Sequence, residues 1–371
     1  MSDPSELSAS EARRLIGRGE LSPTELLEAC ISRIGAINPQ INAIVATDFN
    51  RARREAKIAE KAVLKGNALP PLHGLPIGVK DLNATEGLRT TWGSKLFENY
   101  VPAKDETLVA RLRAAGGIIV GKTNTPEFGS GTATNNLVYG PTRNPFDLER
   151  TSGGSSGGSG AALATNMLPL CQGGDTGGSL RNPATWCGVV GFRSTPGLVP
   201  KENRTLNYTH FNVQGPMARS VPDIALMMTG CVGNDKRDPM ANSCNPQAFL
   251  DIEPANLKNV RVAWTEDFGG VAPLDNGIRG CFQKVIGALK NTFRTLEGQN
   301  PNFSNARDCF WTLRCVNYLA SHKARCEKHR DILSQNIIAN VEAGEKMSLA
   351  DVSMAEIQWR KIYRDFGDFF E

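Results

Sequence analysis

Residues 151–160 read Thr-Ser-Gly-Gly-Ser-Ser-Gly-Gly-Ser-Gly, and residues 173–181 read Gly-Gly-Asp-Thr-Gly-Gly-Ser-Leu-Arg. Further upstream, a short apolar run ends in Lys80. Glycine reaches positive φ at little cost and lets the backbone approach a ligand closely. Two loop serines with glycines beside them, together with a lysine, meet the needs of an amide hydrolase that has no catalytic histidine. The pattern therefore favours a catalytic site over simple packing.

The second loop presents backbone N–H groups beside its serine. Successive N–H groups in such a loop form an anion-binding concavity. The N–H groups of Thr176, Gly177 and Gly178 are therefore candidates for an oxyanion hole around a carbonyl attacked by Ser179, each well-placed donor contributing roughly 3–4 kcal/mol. A lysine acts as a base only when neutral, so burial must lower its pKa from about 10.4 to roughly 7–8. The apolar residues before Lys80 suit that desolvation.

Other glycine-rich sites fit the spacing less well. No lysine follows either loop as a P-loop requires, and a dinucleotide fingerprint should follow an apolar strand rather than the polar stretch 144–150. A flexible linker is disfavoured because residues 186–192 read as buried core directly after the second loop. Residues 153–157 do satisfy Gly-x-Ser-x-Gly, with three histidines later in the chain (His210, His322 and His329). A serine esterase is therefore kept as an alternative, although no strand is expected before this loop.

Five stretches resemble the amidase signature hydrolases, over roughly residues 5–235 and most specifically over 72–197. They are residues 73–81, residues 121–128, the two loops and residues 187–192. The resemblance implies a Ser–cis-Ser–Lys triad. In that triad Lys80 is the base, Ser155 is the bridging serine that shuttles a proton and follows a cis peptide bond, and Ser179 is the acyl-enzyme nucleophile.

Three further residues are predicted to support the triad. Asp175 and Arg181 flank the nucleophile loop and could pin it through charge-assisted hydrogen bonds, which would hold the N–H groups of residues 176–178 in place. The alternative is an ordinary surface ion pair worth less than about 1 kcal/mol. Ser156 could partly replace Ser155 through a water molecule.

The fold class expected is α/β. The resemblance implies an amidase-signature-like fold with a mixed central β-sheet, helices on both faces and a helical C-terminal region. Ser22 opens a capping box for a helix that runs to about Ile34. Asp105 is expected to cap a helix over residues 106–115, and a helix is expected over residues 277–296. We expect one amidase-like domain over 1–371 with a signature core at about 72–197, its C-terminal part truncated relative to the family.

Composition constrains compartment and partners. A net charge of +4 from 42 basic and 38 acidic residues is too small to imply nucleic-acid binding. No run of about 18 apolar residues predicts a membrane span. The nine cysteines include no C-x-x-C pair, and the first residues lack the features of a signal peptide. We expect a cytoplasmic protein that acts on a small-molecule amide without nucleic acid, membrane, metal or cofactor, with a homodimer left open.

These features predict an amidohydrolase that cleaves a carboxylic acid amide to a carboxylate and ammonia or an amine, through an acyl-enzyme on Ser179. Two alternatives besides the esterase are an amidase-like component of a transamidation (amidotransferase) complex and a non-catalytic binding protein that keeps the fold. No motif marks the acyl pocket, so the sequence does not define which amide is cleaved.

Overall fold

The computed structural model describes residues 3–371. Contacts between Cα atoms divide the chain into two compact units. The first unit runs to Asp251 and includes Asp331–Asn336, and the second comprises Ile252–Arg330 and Ile337–Glu371. The division is one of contact density, so the expected single domain stays a prediction.

A six-stranded mixed sheet forms the centre of the first unit. Its strands are β1 (Ile44–Thr47), β2 (Pro76–Lys80), β3 (Ile118–Thr123), β6 (Leu170–Asp175), β7 (Val190–Gly191) and β8 (Val213–Ala218), while β4 (Arg143–Asn144) and β5 (Asp147–Thr151) form a separate antiparallel pair. The strand order is β1-β3-β2-β6-β8-β7. Strand β2 runs parallel to both of its neighbours, and the other pairs are antiparallel.

Every residue of β2, β3 and β8 is buried. A strand reaches that state when both faces of its sheet are covered, as in α/β proteins. The covering helices are α1 (Ala9–Gly17), α2 (Pro23–Ile41), α3 (Phe49–Leu64), α4 (Thr107–Ala114), α5 (Gly157–Ala164), α6 (Arg181–Cys187) and α7 (Val221–Cys231). Among them α3 packs against β3, α5 against β6 and α7 against β8. The expected α/β fold class is confirmed.

Helix α5 approaches the sheet unusually closely. A Cβ atom added at Gly158 would lie 2.2 Å from the backbone nitrogen of Asn124 and 2.7 Å from the carbonyl oxygen of Ala43. Only glycine fits at that distance. The glycines of the first loop therefore let α5 start directly against the end of β3, which fixes the serines that precede the helix.

Four local predictions about the first unit are corrected by the structure. Residues 186–192, expected to be buried core, include the exposed side chains of Trp186 and Phe192. The capping box at Ser22 is present, but the helix extends to Ile41 and includes Pro39. Asp105 does not cap α4, because its carboxylate accepts from the Glu86 N–H at 2.7 Å and from the Arg113 guanidinium at 2.9 Å. A strand, β5, does precede the first loop. It was missed because its residues are polar and exposed, as they belong to a two-stranded surface hairpin.

The second unit contains two parallel strands and long helices. Its elements are β9 (Arg261–Trp264), α8 (Asn276–Leu289), β10 (Thr295–Gly298), α9 (Ala306–His329) and α11 (Leu349–Phe369). Helix α10 (Gln335–Glu345) begins within the last residues of the first unit. The helix expected over 277–296 is shorter than predicted, and its last two residues belong to β10. No helix within residues 3–371 is long and apolar enough to cross a membrane.

Candidate active site

Lys80 is the last residue of β2, and its side chain is buried with 1% of the residue's surface exposed. Its backbone N–H donates to the side-chain oxygen of Gln172 in β6 at 3.1 Å. Its Nζ lies 2.7 Å from Ser155 Oγ and 2.8 Å from Ser156 Oγ. The structure thus brings the predicted base and the predicted bridging serine into direct contact.

Burial lowers the pKa of Lys80 to about 7. The carboxylate of Asp175 opposes this shift, and the charge of Lys201 adds to it. Desolvation disfavours the ammonium because the protein interior solvates charge poorly. Since two hydroxyl groups and no carboxylate lie against Nζ, a substantial neutral fraction exists at neutral pH. The value agrees with the range expected from the sequence.

The first loop holds both serines beside the second loop. The peptide bond between Gly154 and Ser155 is cis, as the family resemblance implied. Ser156 Oγ lies 3.2 Å from the carbonyl oxygen of Gly174 and 3.3 Å from its nitrogen, and the Ser156 N–H donates to the carbonyl of Ser179 at 3.3 Å. Ser156 therefore fastens the two glycine-rich loops together in addition to contacting the lysine.

Ser179 lies two residues before α6 and is partly buried. Its backbone carbonyl is held by Ser156, and its hydroxyl forms no hydrogen bond with any other residue between 3 and 371. Hydrogen bonds at a catalytic site are often formed only once substrate is bound. The hydroxyl is therefore unengaged and partly accessible, next to the loop that carries Ser155.

The backbone of the second loop differs in one respect from expectation. The Gly178 N–H, predicted to face an oxyanion, donates instead to Asp175 Oδ1 at 2.8 Å. Gly178 adopts a φ of 113°, a left-handed conformation that favours glycine. The N–H groups of Thr176 and Gly177 have no hydrogen-bond partner within the described part of the chain. These two groups stay available to a substrate carbonyl, while Gly178 shapes the loop.

The side chain of Asp175 anchors the second glycine-rich loop. This side chain has no exposed surface and accepts hydrogen bonds from the N–H groups of Gly178 and Leu180, and from both arginines that face it, Arg181 and Arg193. Burial raises the pKa of the Asp175 carboxyl, but hydrogen bonds from Arg181 and Gly178 and the charges of both arginines outweigh burial and hold the pKa at about 2. Asp175 is therefore ionised throughout the neutral range.

Arg193 is the site residue that sequence reasoning missed. Its guanidinium donates to Asp175 Oδ1 at 2.9 Å, to the Asp175 carbonyl at 2.7 Å and to the Phe211 carbonyl at 2.9 Å. Its side chain is 23% exposed, whereas that of Arg181 is 57% exposed. The available signal was a basic residue 12 positions beyond the second loop, but the spacing gave no reason to pair it with Asp175.

A cavity of about 70 Å³ opens beside these groups. Lys80, Ser155, Asp175 and Thr176 line it on the catalytic side. Leu82 and Phe128 add apolar surface, and the remaining wall includes side chains of Asn83, Lys201 and Gln214. The arrangement can bind a small group next to a buried, weakly basic amine.

We expect Arg193→Ala to destabilise the fold more than Arg181→Ala does. Removing Arg193 takes one guanidinium partner from the buried Asp175 carboxylate and one donor from each of three backbone carbonyls, those of Asp175, His210 and Phe211, at a cost of about 2–3 kcal/mol. Removing the more exposed Arg181 should cost less than about 1 kcal/mol. Urea unfolding of both variants measures the difference, and equal stabilities for the two would contradict this view of the anchor.

Comparison with known proteins shows to which family the chain belongs. The model of the amidase family matches residues 25–354. The chain is 35% identical to an acylamidase of Rhodococcus erythropolis over 352 residues, which are 94% of this chain and 74% of that protein. It is 42% identical over 256 residues to a glutamyl-tRNA(Gln) amidotransferase subunit of Roseiflexus castenholzii, covering 69% of this chain and 51% of that protein. The chain thus spans about half the length of the amidotransferase relative.

Solved structures agree with the sequence relatives. A bacterial aryl acylamidase of the amidase signature family superposes with a TM-score of 0.90 at 26% identity, covering 98% of this chain and 77% of that one. The structure of 6-aminohexanoate cyclic dimer hydrolase complexed with substrate gives a TM-score of 0.86 at 28% identity, covering 99% and 77%. The chain belongs to the amidase family, whose enzymes act on amide C–N bonds.

Proposed function

We propose that this protein is an amidohydrolase that cleaves a carboxylic acid amide to a carboxylate and ammonia or an amine, through an acyl-enzyme on Ser179. The observation that carries the proposal is the buried Lys80 amine in contact with Ser155 and Ser156. A lysine with a pKa of about 7 is a competent base at neutral pH.

Acylation begins with attack of Ser179 Oγ on the amide carbonyl carbon. The hydroxyl proton passes to Ser155 Oγ, while the Ser155 proton moves to the neutral Lys80 Nζ. Negative charge then collects on the carbonyl oxygen, where the N–H groups of Thr176 and Gly177 can donate to it. A carboxylate in the place of Lys80 would also accept a proton, but its charge would oppose the developing oxyanion.

Collapse of the tetrahedral intermediate breaks the C–N bond. The Lys80 ammonium returns its proton through Ser155 to the departing nitrogen, which leaves as ammonia or an amine. Water then attacks the ester carbonyl of acylated Ser179, with the same relay taking up the proton, and Ser179 is regenerated with release of the carboxylate. Lys80 acts as a base and then an acid in each half of the cycle.

A second function is favoured by one specific observation. The chain is 42% identical over 256 residues to an amidotransferase component. In that case the same Ser179 chemistry would supply ammonia to a partner protein. Release of free ammonia from a simple amide by the isolated chain supports the amidohydrolase, whereas turnover only with a partner present supports the amidotransferase role.

We also propose a cytoplasmic location. The nine cysteines are free thiols in the structure, seven of them buried. Thiols persist in a reducing compartment. The homodimer that the sequence leaves open stays untested.

The first test identifies the nucleophile. A fluorophosphonate probe should label the native protein at Ser179, located by peptide mass spectrometry, and Ser179→Ala should take up no label. Thr185→Ala, an exposed change on α6, is the matched control and should label normally. An adduct on Ser155 would instead support the serine esterase alternative.

Lys80 should control the pH dependence of the reaction. Below a pH of about 7 the amine is protonated and cannot take the serine proton, so kcat/KM should rise tenfold per pH unit and level off above that value. Lys80→Met should lose at least about a thousandfold in kcat/KM, because removal of one group from a catalytic unit disables the other groups as well. A pH profile that keeps its rising limb in Lys80→Met would assign the titration to another group.

Ser155 should matter more for amides than for esters. An amine anion is a very poor leaving group and must be protonated, whereas an activated alcohol leaves without help. Ser155→Ala should therefore lose about a hundredfold or more on an amide and markedly less on the nitrophenyl ester of the same acyl group. Ser156→Ala should lose less, and the double change should lose more. Equal losses of activity on the amide and the ester would show that Ser155 does not shuttle the proton.

A further inference from the structure

The cavity beside Lys80 contains polar side chains that catalysis does not use. Asn83 and Gln214 both line it, with 2% and 4% of their surfaces exposed. Asn83 Nδ2 and Gln214 Oε1 are buried and have no hydrogen-bond partner among the described residues. Buried polar groups in folded proteins are nearly always paired, so each exception calls for an explanation. Two of them at residues that line one cavity are candidates for pairing with a bound group.

The orientation of the Gln214 amide is fixed by its other contact. Gln214 Nε2 donates to Glu106 Oε1 at 3.1 Å. A carboxylate accepts hydrogen bonds, so the amide cannot be rotated by 180° without placing two oxygens together. The Oε1 atom that is left is an acceptor, and it requires a hydrogen-bond donor from the ligand.

Lys201 and Asn83, unlike Gln214, offer hydrogen-bond donors to a ligand. Lys201 lines the same cavity, and its Nζ lies within 4.0 Å of no carboxylate and forms no hydrogen bond in the part of the chain that the structure describes. Burial lowers the pKa of Lys201, while Glu106 opposes that shift, yet the amine donates hydrogen bonds in either protonation state. Lys201 therefore calls for an acceptor from the ligand. No side-chain hydrogen bond within the described residues fixes the Asn83 amide, so it can turn its Nδ2 towards the same acceptor.

A primary carboxamide supplies both kinds of atom. Its oxygen can accept from Lys201 and Asn83 while its NH₂ group donates to Gln214 Oε1. A carboxylate would satisfy the two donors but would oppose the Gln214 oxygen, and a hydrocarbon would offer no hydrogen-bond partner to any of the three groups. The cavity volume of about 70 Å³ suits a short chain.

We propose that this cavity is an acyl subsite for a terminal carboxamide, so that the substrates are short-chain diamides of dicarboxylic acids cleaved at one end. The inference rests on the proposed function, because the same cavity holds Lys80 and Ser155. It names the substrate class that the catalytic residues alone leave undefined.

Three amides of similar size and shape test the proposal. Succinamide carries the carboxamide, succinamate carries a carboxylate, and 4-methylpentanamide carries two methyl groups at the same position. Native enzyme should show a kcat/KM for succinamide at least about tenfold above that for either of the others. A preference for 4-methylpentanamide or succinamate would overturn the proposal while leaving amide hydrolysis by Ser179 intact.

Two variants remove the proposed contacts without breaking contacts inside the protein. Asn83→Leu should lower kcat/KM for succinamide about tenfold and leave that for 4-methylpentanamide unchanged or higher. Lys201→Met should lower the ratio of kcat/KM for succinamide to that for 4-methylpentanamide about tenfold, because loss of its charge acts on Lys80 equally for both substrates. Asn83→Leu should also raise the melting temperature, because it replaces an unpaired buried amide with an apolar group of similar shape. Lys236→Met, at an exposed lysine, is the matched control. Parallel losses on both substrates, with an unchanged preference, would mean that these residues only shape the fold.

A binding measurement separates this proposal from the proposed function. Ser179→Ala protein cannot form the acyl-enzyme, so calorimetry reports binding alone. Succinamide should bind this variant at least about tenfold more tightly than 4-methylpentanamide, and the difference should disappear in Ser179→Ala/Asn83→Leu. Selective binding without turnover of any amide by the native enzyme would overturn the proposed function only. Equal binding of the two amides would overturn the carboxamide subsite only.

Discussion

The contact between the buried Lys80 amine and the hydroxyl groups of Ser155 and Ser156 is the interaction on which the proposed site depends. Desolvation of a lysine disfavours its charged form, and the protein accepts this cost to stability. Because the pKa in the unfolded chain is about 10.4, the cost is complete below a pH of about 7 and fades as the pH rises from there towards 10.4. The same desolvation that destabilises the fold supplies a base that works near neutrality.

The surrounding elements hold this contact in place from two sides. Strand β2 ends at Lys80 and pairs on both edges with parallel strands, so the position of the lysine is fixed by the sheet. Helix α5 is drawn against β3 through Gly158, and the serines just before it are thereby set against the lysine. Asp175, ionised and held by two arginines, fixes the loop that carries Ser179. Each support comes from a different part of the sequence.

The sequence predicted the chemistry better than the geometry of the loops. Residue type and position made Lys80 and Asp175 candidates, since few arrangements of glycine, serine and lysine suit a nucleophile without histidine. The role of Ser155 was implied only by the resemblance to the amidase signature hydrolases. The role of the Gly178 N–H could not be predicted from the sequence, because it depends on the orientation of the Asp175 carboxylate. Arg193, Asn83 and Gln214 were also out of reach, because long-range pairing brings them to the site and no local pattern marks them. Within the fold, the sequence predicted the capping box at Ser22, but it did not predict the polar strand β5.

The proposed mechanism requires a large neutral fraction of Lys80 in the native protein at neutral pH. Nuclear magnetic resonance of lysine labelled at Nζ with nitrogen-15 measures this directly, with the Lys80 signal assigned by its loss in Lys80→Met. We expect a titration centred near pH 7, well below that of exposed lysines. A Lys80 signal that stays in the ammonium form up to pH 10 would contradict the mechanism, since the relay through Ser155 would then have no base.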